Sequence, residues 1–188
     1  MPAAFTTLWT QHVCRELRKD RIGCRPPVAF SGIHQSLPRW SSVGVGDTVH
    51  AVHVSKCVVY LVSQLEVIDK ERRDCCGPAP ASYREPAHPG HADWRMLGAE
   101  DCGAEPVHVE ATPIRFDTPV PGDLLTQLTW RNRRGETRGL KYVVDGRLER
   151  FVSLQGVYQL TDESAGLLAG LVADARLRQP AVRPAAGR

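Results

Sequence analysis

Three features are missing from the sequence, and each absence excludes a class of protein. No apolar segment is long enough to cross a bilayer, because the longest such run extends only from Cys57 to Val62. No two of the six cysteines have the C-x-x-C spacing of a zinc knuckle or a dithiol redox site. The P-loop and the dinucleotide fingerprint are also absent, since Gly44-Val45-Gly46 lacks a third glycine and precedes a strand pattern.

The first residues also lack the basic group and apolar stretch that begin a signal peptide. We therefore expect a cytoplasmic protein with no membrane segment and no disulfide scaffold. Cys57 opens an apolar strand pattern and is expected to be buried and inert. No nucleophile-elbow pattern surrounds a serine, so the sequence assigns no catalytic residue and no cofactor. Whether the protein is an enzyme is left open.

A length of 188 residues and a hydrophobic content of 42% predict one domain with a real core. We place this domain at residues 1–178 and expect the basic tail 179–188 to be disordered, because Pro, Ala and Arg dominate it. The charge is concentrated in one segment, since Arg131 to Arg150 hold seven Arg or Lys against three acids. This segment alone carries +4, while the whole chain has a net charge of +3. Such a concentration of positive charge favours an anionic partner.

Hydrophobic periodicity predicts a protein of many strands and few helices. Alternation over Thr48–Val54 and the nearly all-apolar run 57–68 indicate two paired strands, the second of them covered on both faces. Asp145-Gly146 indicates a hairpin turn. Thr161 is typical of a helix N-cap, and the apolar stripe that follows predicts a C-terminal helix.

Proline and glycine predict irregular structure over 23–39 and a long loop over 69–112. The long loop is rich in side chains that zinc accepts, although their spacings match no standard zinc module. A metal site and an irregular loop that merely contains these residues both stay open. The candidate ligands are Cys75, Cys76, His88, His91, Cys102 and His108.

Three short pieces of sequence resemble the PUA-like superfamily, most closely its EVE and ASCH branches. They are Pro38-Arg39-Trp40, the turn and strand Val43-Gly44-Val45-Gly46-Asp47-Thr48-Val49, and Leu65-Glu66-Val67. In this pattern Gly46 permits a tight turn and Asp47 can hydrogen-bond the backbone. The resemblance implies an α+β fold, a small bent β-barrel with flanking helices and a C-terminal helix. In EVE-type relatives it implies a pocket for a modified or flipped base, and in some ASCH-type relatives it implies nuclease activity.

We interpret the chain as a nucleic-acid-binding module, for RNA or DNA, that reads a modified or flipped base. Exposed aromatic rings would stack on bases, and cations would contact phosphate. The alternative for the basic segment is a solvated hairpin face with a tryptophan in the core. The residues predicted to bind nucleic acid are Trp40, Trp94, Trp130, Arg131, Arg133, Arg134 and Lys141.

Two other functions stay open. A small hydrolase, for example a ribonuclease, would use Asp47 with His50 or His53 as general acid and base. The offset of three places these histidines on opposite faces of one strand, so one is expected in the core and the other at the surface. A protein-interaction module would instead use the 69–112 loop and the arginine-rich tail. The sequence does not define the oligomeric state.

Overall fold

The computed structural model describes residues 2–19, 28–32, 40–70, 104–132 and 134–178. The strands in these ranges are β1 (Ala4–Leu8), β2 (Val28–Gly32), β3 (Thr48–Ser55), β4 (Val58–Lys70), β5 (Ala104–Pro119), β6 (Thr129–Arg131), β7 (Thr137–Gly139), β8 (Val143–Val144), β9 (Arg147–Leu148) and β10 (Tyr158–Leu160). The helices are α1 (Gln11–Lys19), α2 (Gly122–Gln127), α3 (Asp162–Leu177) and a 3₁₀ helix at Phe151–Leu154.

Eight strands form one mixed sheet in the order β2-β5-β4-β3-β1-β10-β6-β7, and β8 pairs with β9 in a separate hairpin. β1 and β3 are parallel neighbours, whereas the other neighbouring strands are antiparallel. A barrel closes only when its first and last strands pair. Among the described residues, β2 and β7 lie at opposite ends of the order and do not pair. The α+β class is confirmed, but over the described ranges the sheet is not closed into the small bent β-barrel that the resemblance implies.

The predicted pair of strands forms the β3–β4 hairpin near the middle of the sheet. Its loop is Lys56-Cys57, between the paired residues Ser55 and Val58. Both loop residues have positive φ, 49° and 63°, as a two-residue hairpin loop requires. The expectation of a buried Cys57 is wrong, because this residue lies in the loop and is exposed.

The predicted loop over 69–112 is too long at both ends. β4 continues to Lys70, and β5 already begins at Ala104. Among the described residues, Pro106 pairs with Phe30 of β2 and has no partner on β4, while Pro113 lies beside a register shift between β4 and β5. A strand tolerates proline at its edge and at irregularities, so these prolines do not break β5.

The segment 23–39 is likewise not wholly irregular, since β2 lies within it and pairs with β5. The tail predicted at 179–188 lies outside the described residues. In the part of the chain that the structure describes, no helix combines the length and apolar character needed to span a bilayer.

Apolar side chains are buried on both faces of the sheet. Successive residues of β3 point to opposite faces, so that Val49 and Ala51 join one core and Val52 the other. The first core includes α1 and contains Phe5, Trp9, Leu17, Trp40, Leu65 and Val67. The second core includes α2 and α3 and contains Leu61, Leu125, Trp130, Leu160, Leu168 and Val172.

The C-terminal helix α3 begins at the predicted cap. The Thr161 hydroxyl oxygen accepts the backbone N–H of Ser164 at 3.3 Å. The Ser164 hydroxyl oxygen in turn accepts the backbone N–H of Thr129 at 2.8 Å. These bonds attach the first turn of α3 to β6, while Leu168 and Val172 bury its apolar stripe in the second core.

Candidate nucleic-acid interface

The turn between β6 and β7 presents part of the basic segment to solvent. Its conformation is fixed by Asn132, whose side-chain oxygen accepts the backbone N–H groups of Arg134 and Glu136, each at 2.9 Å. The Asn132 amide nitrogen donates to the Glu136 carboxylate at 2.7 Å. Arg134 is exposed on this turn. Arg131, on β6, forms an ion pair with Asp162 at 3.2 Å.

Beside this turn lies a cavity of about 250 Å³. Its walls come from β6, β7, the segment that joins β7 to β8, the 3₁₀ helix and β10. Flat aromatic rings, cationic groups and a hydroxyl together suit a ligand that has both a planar ring and negative charge. The lining includes Trp130, Arg138, Lys141, Tyr142, Ser153 and Tyr158.

Trp130 forms the wall of the cavity on the side of the second core. Its ring is 4% exposed, and Nε1 donates a hydrogen bond to the Thr6 hydroxyl oxygen at 2.8 Å. Because a buried indole N–H needs an acceptor, this bond holds the ring in place. Trp130 therefore lies in the core and borders the cavity, and it does not project as an open stacking surface.

The first cation–aromatic pair of the cavity joins β7 to β10. The guanidinium carbon of Arg138 lies 5.0 Å from the centroid of the Tyr158 ring, within the range of a cation–π contact. The ring also packs against Gly156, where an added Cβ would lie 2.7 Å from the ring carbon Cζ. The absence of a side chain at Gly156 thus leaves the space that Tyr158 occupies.

The second cation–aromatic pair joins the two ends of the β8–β9 hairpin, since Tyr142 precedes β8 and Arg150 follows β9. The guanidinium carbon of Arg150 lies 5.4 Å from the centroid of the Tyr142 ring, which is 44% exposed. The Tyr142 carbonyl accepts the backbone N–H of Glu149 at 2.9 Å. The Ser153 hydroxyl donates to the Lys141 carbonyl at 3.3 Å. These bonds fix the backbone that carries Lys141 and Tyr142 into the cavity wall.

The charge of the two guanidinium groups is not neutralised by a carboxylate. Within the described residues, neither Arg138 nor Arg150 forms an ion pair, in contrast to Arg131. Exposed acids do lie close in sequence, at Asp145 and Glu149 on the hairpin. The positive charge of the cavity lining therefore comes from Arg138 and Lys141, while Arg150 lies over the ring of the lining residue Tyr142.

The predicted nucleic-acid residues are only partly brought together. Trp130 and Lys141 both line the cavity, and Arg131 and Arg134 lie on β6 and on the adjacent turn. Trp40 is 2% exposed in the first core, so it presents no ring face for stacking, contrary to the prediction.

Trp94 and Arg133 lie outside the described residues. The sequence reasoning did not single out Tyr158, Arg150 or Ser153 as site residues. The only signal for Tyr158 was its position two residues after Gly156, and a glycine before a strand does not specify what packs against it.

The Asp47 carboxylate is hydrogen-bonded within the fold. Its two oxygens accept the backbone N–H groups of Ala3 and Gly44, each at 2.7 Å. The predicted backbone hydrogen bonding of Asp47 is thereby confirmed. His53 is buried, and its Nδ1 lies 3.2 Å from the Trp9 carbonyl oxygen, which can only accept. This nitrogen therefore carries the hydrogen.

His50 is buried on the other face of β3 and is 1% exposed. Burial lowers its pKa to about 4, and its Nδ1 has no hydrogen-bond partner among the described residues. The prediction of opposite faces for His50 and His53 is confirmed, but the prediction that one lies at the surface is wrong. Helices and connecting segments cover both faces of β3, and neither histidine lines the cavity.

The proposed metal ligands are not tested by the structure. Cys75, Cys76, His88, His91 and Cys102 lie outside the described residues, and His108 lies on β5. Over the described ranges, no three His, Cys, Asp or Glu side chains form a group that could hold a metal ion.

Comparisons with known proteins place the fold. No family model matches the chain, and no curated protein matches it. The structure is similar to that of a mutant form of ZmASCH from Zymomonas mobilis, with a TM-score of 0.50 and 10% sequence identity over 90% of this chain and 98% of that chain. A second mutant form of ZmASCH has a TM-score of 0.49 at 9% identity, covering 91% of this chain and 99% of that one. A hypothetical protein from Leishmania major has a TM-score of 0.45 at 10% identity, covering 94% and 98%.

The first of these similarities shows a fold like that of ZmASCH. The resemblance read from the sequence agrees with this similarity in fold. At 10% identity the similarity concerns the fold alone.

Proposed function

We propose that the protein binds unpaired RNA, with one base in the cavity that Arg138, Tyr142 and Tyr158 line. The observation that carries this proposal is one cavity whose lining combines two tyrosine rings with the cationic side chains of Arg138 and Lys141. Bases stack on aromatic rings and on guanidinium planes, and guanidinium groups also bind phosphate. One cavity therefore offers both kinds of contact that a nucleotide makes.

The size of the cavity supports a single base as its occupant. Sites for drug-sized ligands enclose roughly 300–1,000 Å³. The volume of about 250 Å³ lies just below that range and suits one small planar group. A base inside a duplex is stacked and paired, so it reaches such a cavity only when the strand is single or when the base is flipped out. This agrees with the flipped-base pocket that the PUA-like resemblance implies.

The phosphate contacts of the proposal lie around the cavity. Lys141 is part of its wall, and Arg134 is exposed on the neighbouring turn. Arg131 contributes less, because its ion pair with Asp162 already neutralises part of its charge. Arg133, next to Arg134 in sequence, is retained as a proposed phosphate contact.

Fluorescence anisotropy with a labelled single-stranded RNA of about 10 nucleotides tests the proposal, since single-strand sites commonly span about 4–16 nucleotides. We expect binding that weakens as salt rises, with a slope of about −0.7 for each phosphate neutralised. We expect Tyr158→Leu to weaken binding about tenfold, because stacking of one base contributes about 1–3 kcal/mol.

Tyr60→Leu is the matched control, since this tyrosine lies on β4 and packs against the first core. It should leave the affinity unchanged. Salt-independent binding, or equal affinities for the Tyr158 and Tyr60 variants, would contradict the proposal. Failure of wild type to bind single-stranded RNA, single-stranded DNA or duplex would contradict it outright.

A further inference from the structure

The strand β7 ends at the cavity with a glycine, Gly139. This residue lines the cavity and is exposed. Because glycine has no side chain, only its backbone borders the cavity. A Cβ added to Gly139 would meet nothing within 4 Å, so no other part of the described chain crowds this backbone on the side where a Cβ would lie.

The hydrogen bonds of the β6–β7 hairpin fix the direction of the Gly139 backbone groups. Next to the turn, the Asn132 N–H donates to the Glu136 carbonyl at 2.9 Å. Hydrogen-bonded and non-hydrogen-bonded pairs alternate along an antiparallel ladder, so the Thr129–Gly139 pair, three positions further on, is a non-hydrogen-bonded pair. The Thr129 carbonyl agrees with this, since it accepts the Thr161 N–H at 3.1 Å. The N–H and C=O of Gly139 therefore both point away from β6.

The outer edge of β7 has no neighbouring strand among the described residues, because β7 is the last strand of the sheet. In an extended residue the N–H and the C=O point in the same direction, so Gly139 presents a donor beside an acceptor. The Watson–Crick edge of each RNA base also has a donor beside an acceptor, for example N3–H and O4 in uracil. Proteins that bind single-stranded RNA form hydrogen bonds with this edge.

We propose that Gly139 binds the Watson–Crick edge of the base in the cavity through two backbone hydrogen bonds. This inference rests on the proposed function and specifies its ligand as a base whose Watson–Crick edge is neither paired nor methylated. Aromatic rings and cations hold any base, since every base has a ring face and a phosphate. The backbone pair at Gly139 adds the requirement that the edge be free, without selecting one of the four bases.

Methylated RNA tests the inference without any change to the protein. Labelled single strands of about 10 nucleotides would contain uridine, 3-methyluridine or 5-methyluridine throughout. A methyl group on N3 removes the donor and blocks the Watson–Crick edge, whereas a methyl group on C5 lies away from that edge. By anisotropy at fixed salt, we expect the 3-methyl strand to bind about thirtyfold more weakly than the uridine strand, because two hydrogen bonds are lost. The 5-methyl strand should bind like the uridine strand.

Two substitutions of Gly139 separate its backbone groups from its size. Gly139→Pro removes the N–H, and an edge strand accepts proline where the N–H points away from its neighbour. It should weaken binding of the uridine strand about fivefold and reduce the discrimination against the 3-methyl strand. Gly139→Ala keeps both backbone groups and should bind like wild type.

Thr137→Pro is the matched control on the same strand. Thr137 is in the other non-hydrogen-bonded pair of the β6–β7 ladder, with Arg131, and it does not line the cavity. This variant loses an outward N–H at the same edge and should keep the wild-type affinity. Circular dichroism should show that all three variants are folded.

The outcomes separate this inference from the proposed function. If the 3-methyl strand binds as tightly as the uridine strand, or if Gly139→Ala weakens binding as much as Gly139→Pro, the inference is wrong. The proposed function stands in both cases when binding still depends on salt and on Tyr158. If no single-stranded RNA binds, both are wrong.

Discussion

Two regions of the molecule use charged side chains in different ways. In the turn before β3, which we call the Asp47 turn (residues 40–47 with Lys70), the charged groups of Asp47 and Lys70 are both hydrogen-bonded to the backbone. The Lys70 ammonium donates to the carbonyls of Trp40 and Val43, each at 2.8 Å, and the Asp47 carboxylate accepts two backbone N–H groups. Around the cavity, by contrast, Arg138 lies over the ring of Tyr158 and Arg150 over the ring of Tyr142, and neither has a carboxylate partner among the described residues.

This difference separates structural charges from charges that are available to a ligand. Both regions contain Arg or Lys together with aromatic residues, and both were predicted to take part in binding through Trp40 and Lys141. Only the contacts of the charges distinguish them. A cation that already satisfies buried carbonyls stabilises the fold, whereas a cation over a ring can still bind phosphate.

The largest expected effect on stability concerns the buried His50, which belongs to neither region. Burial lowers its pKa from the ordinary value of 6.5 to about 4 in the folded protein. In the unfolded state the pKa is close to the ordinary value, so that state binds a proton first as the pH falls. The stability from neutral His50 is complete above pH 6.5 and decreases by about 3 kcal/mol as the pH approaches 4. Urea unfolding between pH 7 and pH 4 measures this loss.

His50→Gln, which cannot titrate, provides the control for the acid experiment. Its free energy of unfolding should depend less steeply on pH over the same interval. An identical pH dependence in the variant and in wild type would show that His50 does not carry the effect.

The next effect tests the cavity region through Gly146. This residue has φ of +70°, and a Cβ added to it would lie 2.8 Å from the Gly122 Cα. Gly146→Ala should therefore destabilise the protein by about 2–3 kcal/mol and weaken RNA binding, because it shifts the hairpin that carries Arg150. Thermal unfolding and anisotropy measure the two changes.

Gly170→Ala is the matched change, since an added Cβ there meets nothing within 4 Å and the residue lies inside α3. It should stabilise the protein by up to about 1 kcal/mol. Equal destabilisation by both substitutions would contradict the close contact between Gly146 and Gly122.

A smaller effect tests the Asp47 turn. Asp47→Ala removes the acceptor of two backbone N–H groups and should destabilise the protein by about 2 kcal/mol. RNA affinity, measured well below the melting temperature, should stay at the wild-type value. Asp47→Asn, which keeps one acceptor oxygen, should lose less stability. A loss of affinity in folded Asp47→Ala would remove the distinction between the two regions.

Much of the fold follows from local signals in the sequence. The β3–β4 hairpin, the Asp145-Gly146 turn and the Thr161 cap each depend on residues that are close in sequence, and the structure confirms all three. The openness of the sheet was not predictable in this way, because it depends on which distant strands pair. The first half of β5 was predicted to be part of a loop because it contains proline, and whether a strand tolerates proline depends on the strands beside it.

The candidate site was predicted less completely than the fold. The basic segment pointed to Lys141 and to the hairpin, because charge is visible in sequence. Burial of Trp40 and the pairing of Arg138 with Tyr158 depend on tertiary packing between separate elements. The choice of tryptophans as stacking residues therefore included Trp40, which lies in the core, and left out Tyr158.

The smallest effect sharpens the electrostatic side of the comparison. Glu149 is exposed beside Arg150 and should repel a phosphate bound there. Glu149→Gln should raise RNA affinity about twofold at low salt, as expected for an exposed charge interaction of about 0.2–1 kcal/mol, with little change in stability. Glu163→Gln, on the first turn of α3, is the control. A lower affinity for Glu149→Gln would place the phosphate elsewhere.

The most direct test of the central claim is to locate the bound base by crosslinking. Single-stranded RNA that contains 4-thiouridine would be irradiated with the full chain, and mass spectrometry would identify the crosslinked residue. The account predicts crosslinks at Tyr142 or Tyr158, which decrease in the Arg138→Gln variant. Crosslinks confined to residues 71–103, to the C-terminal tail or to the Asp47 turn would contradict it.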